Sequence, residues 1–254
     1  PLASPQVHTR FPAGSAQSPA ASPPPLRIAW TTAAPGGVVV EAAVRGVVEA
    51  TASMLAEAGH QVEETTPPIL TDEAFYGQVM GWFLDAFSVW VRRSVDGFEV
   101  LGGEPVTEAD VEAHTWALCA MGADVPGPRF DAAIDGLMRA GRRIRSFWED
   151  ERYDLLLTPV CAEVPWALGG FRPQDDNPLA GVMRSAELVT YASPFIISGQ
   201  PAISLPVAMV DGLPVGAQLV GRWGRDHQLL AVGAQLEERL AWQHRRPATH
   251  VARI

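Results

Sequence analysis

Between Tyr191 and Pro201 the chain gathers two serines, a tyrosine, a phenylalanine and a glutamine among two prolines and a glycine: Tyr191-Ala192-Ser193-Pro194-Phe195-Ile196-Ile197-Ser198-Gly199-Gln200-Pro201. Hydroxyls and a carboxamide can hold a polar ligand through hydrogen bonds. Pro194, Gly199 and Pro201 are expected to keep this backbone out of a helix and leave its amides free to face a cavity. Loops of this kind carry sites more often than packing. Covalent chemistry asks for more, because a serine attacks a carbonyl only when a base takes its proton. The chain holds no GxSxG elbow, no HExxH, no GxxxxGK and no GxGxxG. A serine, histidine and acid chosen by hand from the remainder carry no weight without a spacing motif. All 19 basic residues are arginine. Nucleotide bias in a GC-rich genome accounts for that, but the chemical consequence stands: no mechanism that needs a lysine can be completed by this chain alone.

The elements that must position this stretch can be read in order. Directly after it, Ala202–Val210 and Pro214–Val220 flank Asp211-Gly212, a strong hairpin signal. Near the start, Leu26–Trp30 reads as a strand, Gly36-Gly37 as a turn, and Val39 to Ala58 as a helix whose apolar residues recur every three or four positions. Gly59 stops it and His60–Glu64 resumes extended structure, so these segments form a βαβ unit with a right-handed crossover. His60 is expected as an exposed turn residue rather than a ligand. Thr71 to Gly97 is a helix capped by Thr71 and rich in aromatics, including Phe75, Tyr76, Trp82, Phe83, Phe87 and Trp90. Those rings either bury themselves or line an apolar pocket. Thr107 to Met121, opened by a capping-box-like Thr-Glu-Ala-Asp, and Arg129 to Arg152 are further helices. His114 reads as structural, and the Arg139–Arg145 cluster as a solvated helix face. Tyr153–Pro159 has the unbroken apolar run of a strand buried on both faces. A long irregular loop is expected over 161–190, and a final helix capped by Asp226, with Arg239, Arg245 and Arg246 at its negative end.

Ser193-Pro194-Phe195, Gly199-Gln200-Pro201, Ala202-Ile203-Ser204-Leu205-Pro206 and the run Asp211-Gly212-Leu213-Pro214-Val215-Gly216-Ala217-Gln218-Leu219-Val220-Gly221 resemble the carboxy-terminal hallmark of the amidase signature family, serine hydrolases of amides. Tyr153–Pro159 is similar to the YDxLLTP element of its central sheet. The resemblance covers about Leu26 to Trp242, the C-terminal half of such an enzyme. It implies an α/β fold with a mixed, mainly parallel β-sheet flanked by helices. Residues 1–25, with seven prolines, resemble the family's bridge between halves, and 26–254 its C-terminal part, with a helical substrate-pocket region at about 71–152. The family's triad is a lysine, a bridging serine and a nucleophilic serine in a GGSSGG-like stretch. Neither that stretch nor any lysine occurs here. The resemblance therefore implies no catalytic residue on this chain; the triad is expected from an N-terminal catalytic half, in cis or as a separate chain. Ser193, Phe195, Ser198 and Gln200, with Tyr191 behind them, are the expected substrate-binding residues. Val189 stands where relatives that accept glutamine in tRNA amidation carry an aspartate, so the implied substrate is a small neutral or apolar amide. The alternative is a catalytically inactive remnant or interaction module that keeps the fold.

A formal net charge of −10 over 254 residues offers nucleic acid and anionic membranes no general attraction. No apolar run reaches the length of a membrane span and no secretory signal opens the chain, so neither a membrane nor a nucleic acid is expected as partner. Cys119 and Cys161 are the only cysteines, expected as packed thiols in a reducing, cytoplasmic setting. No cofactor or metal is expected, and homo-oligomerisation stays open.

Overall fold

The computed structural model describes residues 23–245, apart from 151, 173 and 175. Of the expected lead-in over 1–25, residues 1–22 lie outside the described residues, as does Arg246. Strand β1 (Arg27–Trp30) leads through helix α1 (Ala42–Glu57) into strand β2 (Gln61–Glu64), and β1 and β2 pair in parallel with Arg27 opposite Gln61. The expected βαβ unit is present, with a shorter helix. Val38 to Val40 stay extended because the Glu41 amide donates to Ala162 O at 2.9 Å and the Glu41 carboxylate accepts from Val164 N at 3.1 Å. His60 is corrected from exposed to buried: its Nδ1 accepts from Leu26 N at 3.1 Å and its Nε2 lies 2.9 Å from Gln235 Oε1. The imidazole is the fastener that holds the entrance of β1 beside the exit of α1.

Strand β3 (Leu155–Pro159) is buried throughout. It pairs in parallel with β1 and in antiparallel with β5 (Leu213–Gly221), which pairs with the edge strand β4 (Ala202–Val210). The order β2-β1-β3-β5-β4 gives a mixed sheet with two parallel and two antiparallel pairings. Asp211 and Gly212 take φ values of 49° and 79°, the twist that a two-residue hairpin requires. Side chains alternate along a strand, which explains the unbroken apolar run in β3. Leu155 and Leu157 enter one core with Val44, Val48, Leu219 and Leu236, whereas Leu156 enters the other with Phe147, Trp148, Phe195 and Val220. The first core is roofed by α1 and by α8 (Asp226–Leu240), the second by α5 (Gly127–Asp150) and a short helix, α7 (Ser193–Ser198). Among the described residues, no helix is long and apolar enough to cross a membrane.

Several boundaries differ from expectation for local reasons. Thr71 ends the short helix α2 (Pro68–Thr71), its hydroxyl donating to Pro68 O. Asp72 caps α3 (Glu73–Gly102) instead, accepting from Phe75 N at 3.0 Å. The Thr107 box closes on itself: the Asp110 carboxylate accepts from both the amide and hydroxyl of Thr107, stabilising a single 3-10 turn, and α4 begins only at Ala113 and runs to Ala123. His114 Nε2 lies 3.2 Å from Glu112 Oε2. The 161–190 stretch is not wholly irregular, since Ala180–Leu188 forms helix α6. Asp226 lies in the first turn of α8 while Arg225 occupies the cap position. The arginine cluster is a helix face with defined partners: Arg143 reaches Asp72 at 2.9 Å and lies over Phe75, and Arg139 lies over Trp82.

Candidate functional site

Helix α7 is the first departure at the site. Pro194 sits in its first turn, where a missing N–H costs nothing, and Gly199, with φ 68°, closes it by donating to Phe195 O at 2.9 Å. The residues that looked like helix breakers are its start and stop signals. The amides are consequently engaged: Phe195 and Ile196 donate to Ala192 O, and Gln200 to Phe195 O. α7 is pressed against α5, where a β-carbon on Gly141 would lie 2.8 Å from Ile197 O, and Arg145 donates to Ser198 O at 2.7 Å.

Of the five residues singled out, four face inward. Tyr191 is fully buried, its hydroxyl donating to Thr32 O at 2.6 Å. Phe195 lies edge-on to Trp148, with ring centres 6.1 Å apart. Ser198 donates to Gln200 Oε1 at 2.9 Å, and Gln200 Nε2 donates to Gly221 O at 3.0 Å, so these two side chains form one link from α7 to the end of β5. A second link runs from Gln218 Nε2 to Thr158 Oγ1 and to Tyr191 O. Ser193 is the one that lines a depression, a shallow apolar hollow of about 10 Å³ with Ile69, Leu70, Phe75, Tyr76, Val79, Ile144, Pro194 and Ile197. Phe75 and Tyr76 were visible as members of an aromatic run. Ile69, Leu70 and Ile144 carried no signal, being apolar residues indistinguishable from core until the helices are placed. Tyr76 is further held by Thr190 Oγ1 at 3.3 Å, whose hydroxyl donates to Pro35 O.

Burial pushes the Tyr191 phenol well above its ordinary value of 10.0. The neutral form is therefore favoured by folding, and the unfolded chain loses this proton first as pH rises. Stability is expected to be unaffected by this group below pH 10 and to fall progressively above it. Urea unfolding between pH 8 and 11 checks this, and Tyr191→Phe should flatten the alkaline loss.

A larger cavity of about 270 Å³ opens elsewhere, lined by Val160, Cys161, Glu163, Trp166, Ser204 and Gly216 among others. It shares no lining residue with the Ser193 hollow. Glu163 is paired with Arg184 at 2.6 Å, and burial raises the Cys161 thiol pKa. Neither concavity contains a nucleophile joined to a base. Among the described residues, no serine, threonine or cysteine side chain bonds to a histidine, and no three His, Cys, Asp or Glu residues converge as metal ligands.

Among the described residues, the two concavities thus hold positioning bonds and no nucleophile joined to a base. The chain is 33% identical over 239 residues to the 6-aminohexanoate-cyclic-dimer hydrolase of Pseudomonas sp. (strain NK87), covering 91% of this chain and 48% of that protein. It is 32% identical to the protein of the same name from Paenarthrobacter ureafaciens, with the same coverage. A solved structure of 6-aminohexanoate cyclic dimer hydrolase superposes with a TM-score of 0.82 at 31% identity, over 92% of this chain and 49% of the other. The chain spans about half the length of the curated relatives it matches. With the amidase family model matching residues 6–230 and the fold shared with a solved hydrolase, this chain belongs to the amidase family.

Proposed function

We propose that this chain is the C-terminal portion of an amidase that hydrolyses a carbon–nitrogen amide bond by serine nucleophilic catalysis, the Lys-Ser-Ser triad coming from an N-terminal segment or partner chain. The observation that carries the reading is a match to about half of each 6-aminohexanoate-cyclic-dimer hydrolase beside a composition without lysine. A buried lysine of lowered pKa, acting through a bridging serine, would take the proton of the nucleophile. This chain's part is positional. Ser193 lines the small apolar hollow, and its apolar neighbours favour a neutral or apolar amide over a charged one, with the room for that substrate coming from the junction with the N-terminal half. Val189, partly exposed at the end of α6, gives a charged amino acid no counter-charge. Tyr191, Phe195, Ser198 and Gln200 complete the substrate-binding wall by fixing α7 against the sheet. The unpaired cysteines, Cys119 buried and Cys161 half-buried, fit a reducing, cytoplasmic compartment.

The test is turnover. The purified chain is expected to leave a neutral primary amide and an aryl amide intact, and to hydrolyse at least one of them once joined to an amidase N-terminal half carrying the lysine and serines. Hydrolysis by the chain alone would overturn the assignment of the triad. A joined protein that folds and releases no amine would favour a non-catalytic module.

A further inference from the structure

Beyond its first turns, one face of helix α3 belongs to neither core. Ser88 lies against α4, where a β-carbon on Gly122 would meet its carbonyl oxygen at 2.2 Å, and Trp82 lies against α5, where a β-carbon on Gly136 would be 2.3 Å from its ring. At about 3.6 residues per turn this leaves a third direction open. Leu84, Phe87, Val91, Ser94, Phe98 and Leu101 occupy it, spaced alternately by three and four, and none of them is buried. Leu84 is 39% exposed, Phe98 66% and Leu101 86%, with Trp90 beside them at 43%. Past Val79, the aromatic run of this helix lines neither of the two concavities.

Alternate spacings of three and four are the a and d positions of a coiled-coil seam, which a second helix fills with side chains from both partners. The four exposed side chains alone offer about 500 Å² of apolar surface, the upper range for the largest patch on an ordinary monomer. A stable interface takes about 800 Å² from each partner, and half-buried Phe83, Phe87 and Val91 with the α4 flank make up the difference. Charge sets the direction. Around the last turn, Glu104 and Glu108 are exposed, with Asp96 and Glu99 half-buried before them; at the other end, exposed Arg139 of α5 lies over Trp82. Parallel helices would set acidic end beside acidic end, whereas antiparallel helices bring Glu104 of one copy to the level of Trp82 and Arg139 of the other. The same acidic end opposes an anionic lipid surface.

We propose that this face of α3 is a homodimer interface, in which the α3 helices of two copies pair antiparallel about a two-fold axis passing between Arg92 and Arg93. Leu84 then meets Leu101 of the second copy, Phe87 meets Phe98, and Val91 meets Ser94, so each layer is closed by one residue from each chain. A two-fold contact uses the same patch on both copies, and this seam matches itself in pairs about its own centre. The interface does not depend on the proposed catalysis.

Sedimentation equilibrium of the full chain, alone and joined to an amidase N-terminal half, tests this. Each form is expected at twice its monomer mass. Phe98→Glu, outside both cores, should raise the dimer dissociation constant by about tenfold or more, and Leu101→Glu should do the same, so the outcome does not hang on the folding of one variant. Val100→Glu is the control: Val100 is 84% exposed but lies off the seam, and the mass should not change. On mild oxidation, a Leu84→Cys chain mixed with a Leu101→Cys chain should cross-link, and neither should cross-link by itself; parallel pairing would link each variant to itself. A monomer in either form, a dimer that survives both glutamate variants, equal loss with Val100→Glu, or self-linking of either cysteine variant overturns the proposal. A dimeric chain that becomes monomeric when joined would give the stripe to the N-terminal half, and a monomer that sediments with neutral phosphatidylcholine vesicles would give it to lipid; both overturn it. A joined dimer that hydrolyses no amide would sink the catalytic reading and leave the interface standing. An active monomer would do the reverse.

Discussion

Leu156→Ala is expected to destabilise the fold by about 2–5 kcal/mol, the range for emptying a fully buried leucine site. Leu156 is inaccessible to solvent, with Ala29 and Val220 opposite it on neighbouring strands. It shares its core with Trp148 and Phe195, large rings locked edge to face. A strand flanked on both sides cannot slide to fill the hole, so the upper part of the range applies. Urea denaturation should show a lower midpoint with an unchanged slope. Because Phe195 is the residue by which α7 sits on this core, the proposed function predicts that the variant joined to an amidase N-terminal half also loses substrate affinity. A loss below about 1 kcal/mol would mean that the site collapses and that the second core is looser than its packing indicates.

Gly122→Ala is the second large effect, and its sign is the informative part. Alanine in place of glycine inside a helix ordinarily stabilises by about 0.5–1 kcal/mol. At Gly122 the added β-carbon would lie 2.2 Å from Ser88 O and 2.5 Å from Ser88 C. Those are backbone atoms of α3, unable to rotate away, so the two helices must separate. Overpacking of this kind costs about 1–3 kcal/mol, which exceeds the propensity gain and makes the net change destabilising. Gly97, in the same α3 with no atom within 4 Å of its would-be β-carbon, is the control: Gly97→Ala should raise stability by about 0.5–1 kcal/mol. Opposite signs for the two variants would establish that α4 is held at backbone contact with α3. Equal signs would refute it.

How far the sequence reaches can be seen at single residues. Leu155, Leu156 and Leu157 announced a strand buried on both faces, and Asp211-Gly212 announced the hairpin, because each signal is local: alternation and turn geometry need no distant partner. Pro194 and Gly199 were misleading for the opposite reason. The same residues break a helix in its middle and frame one at its ends, and which applies depends on whether α5 is there to receive six helical residues. His60 was also undecidable locally, since one of its ring partners, Gln235, is 175 positions away. The sequence pointed to Thr71 as the cap, and the role goes instead to Asp72, whose carboxylate also meets Arg143 from α5. The hydrogen bond it accepts from Phe75 N–H, with the Arg143 contact second, holds the Asp72 carboxyl below its usual range.

By itself the sequence determined the family, the hairpin, the strand at the centre of the sheet and the want of a lysine, all properties of contiguous residues or of composition. Only the tertiary structure decided that Ser193 lines a hollow while Tyr191, Phe195, Ser198 and Gln200 turn inward, and that one face of α3 is left uncovered. Orientation toward a cavity or toward solvent is set by which elements pack on either side of a residue. That information lies in contacts between segments far apart in the chain.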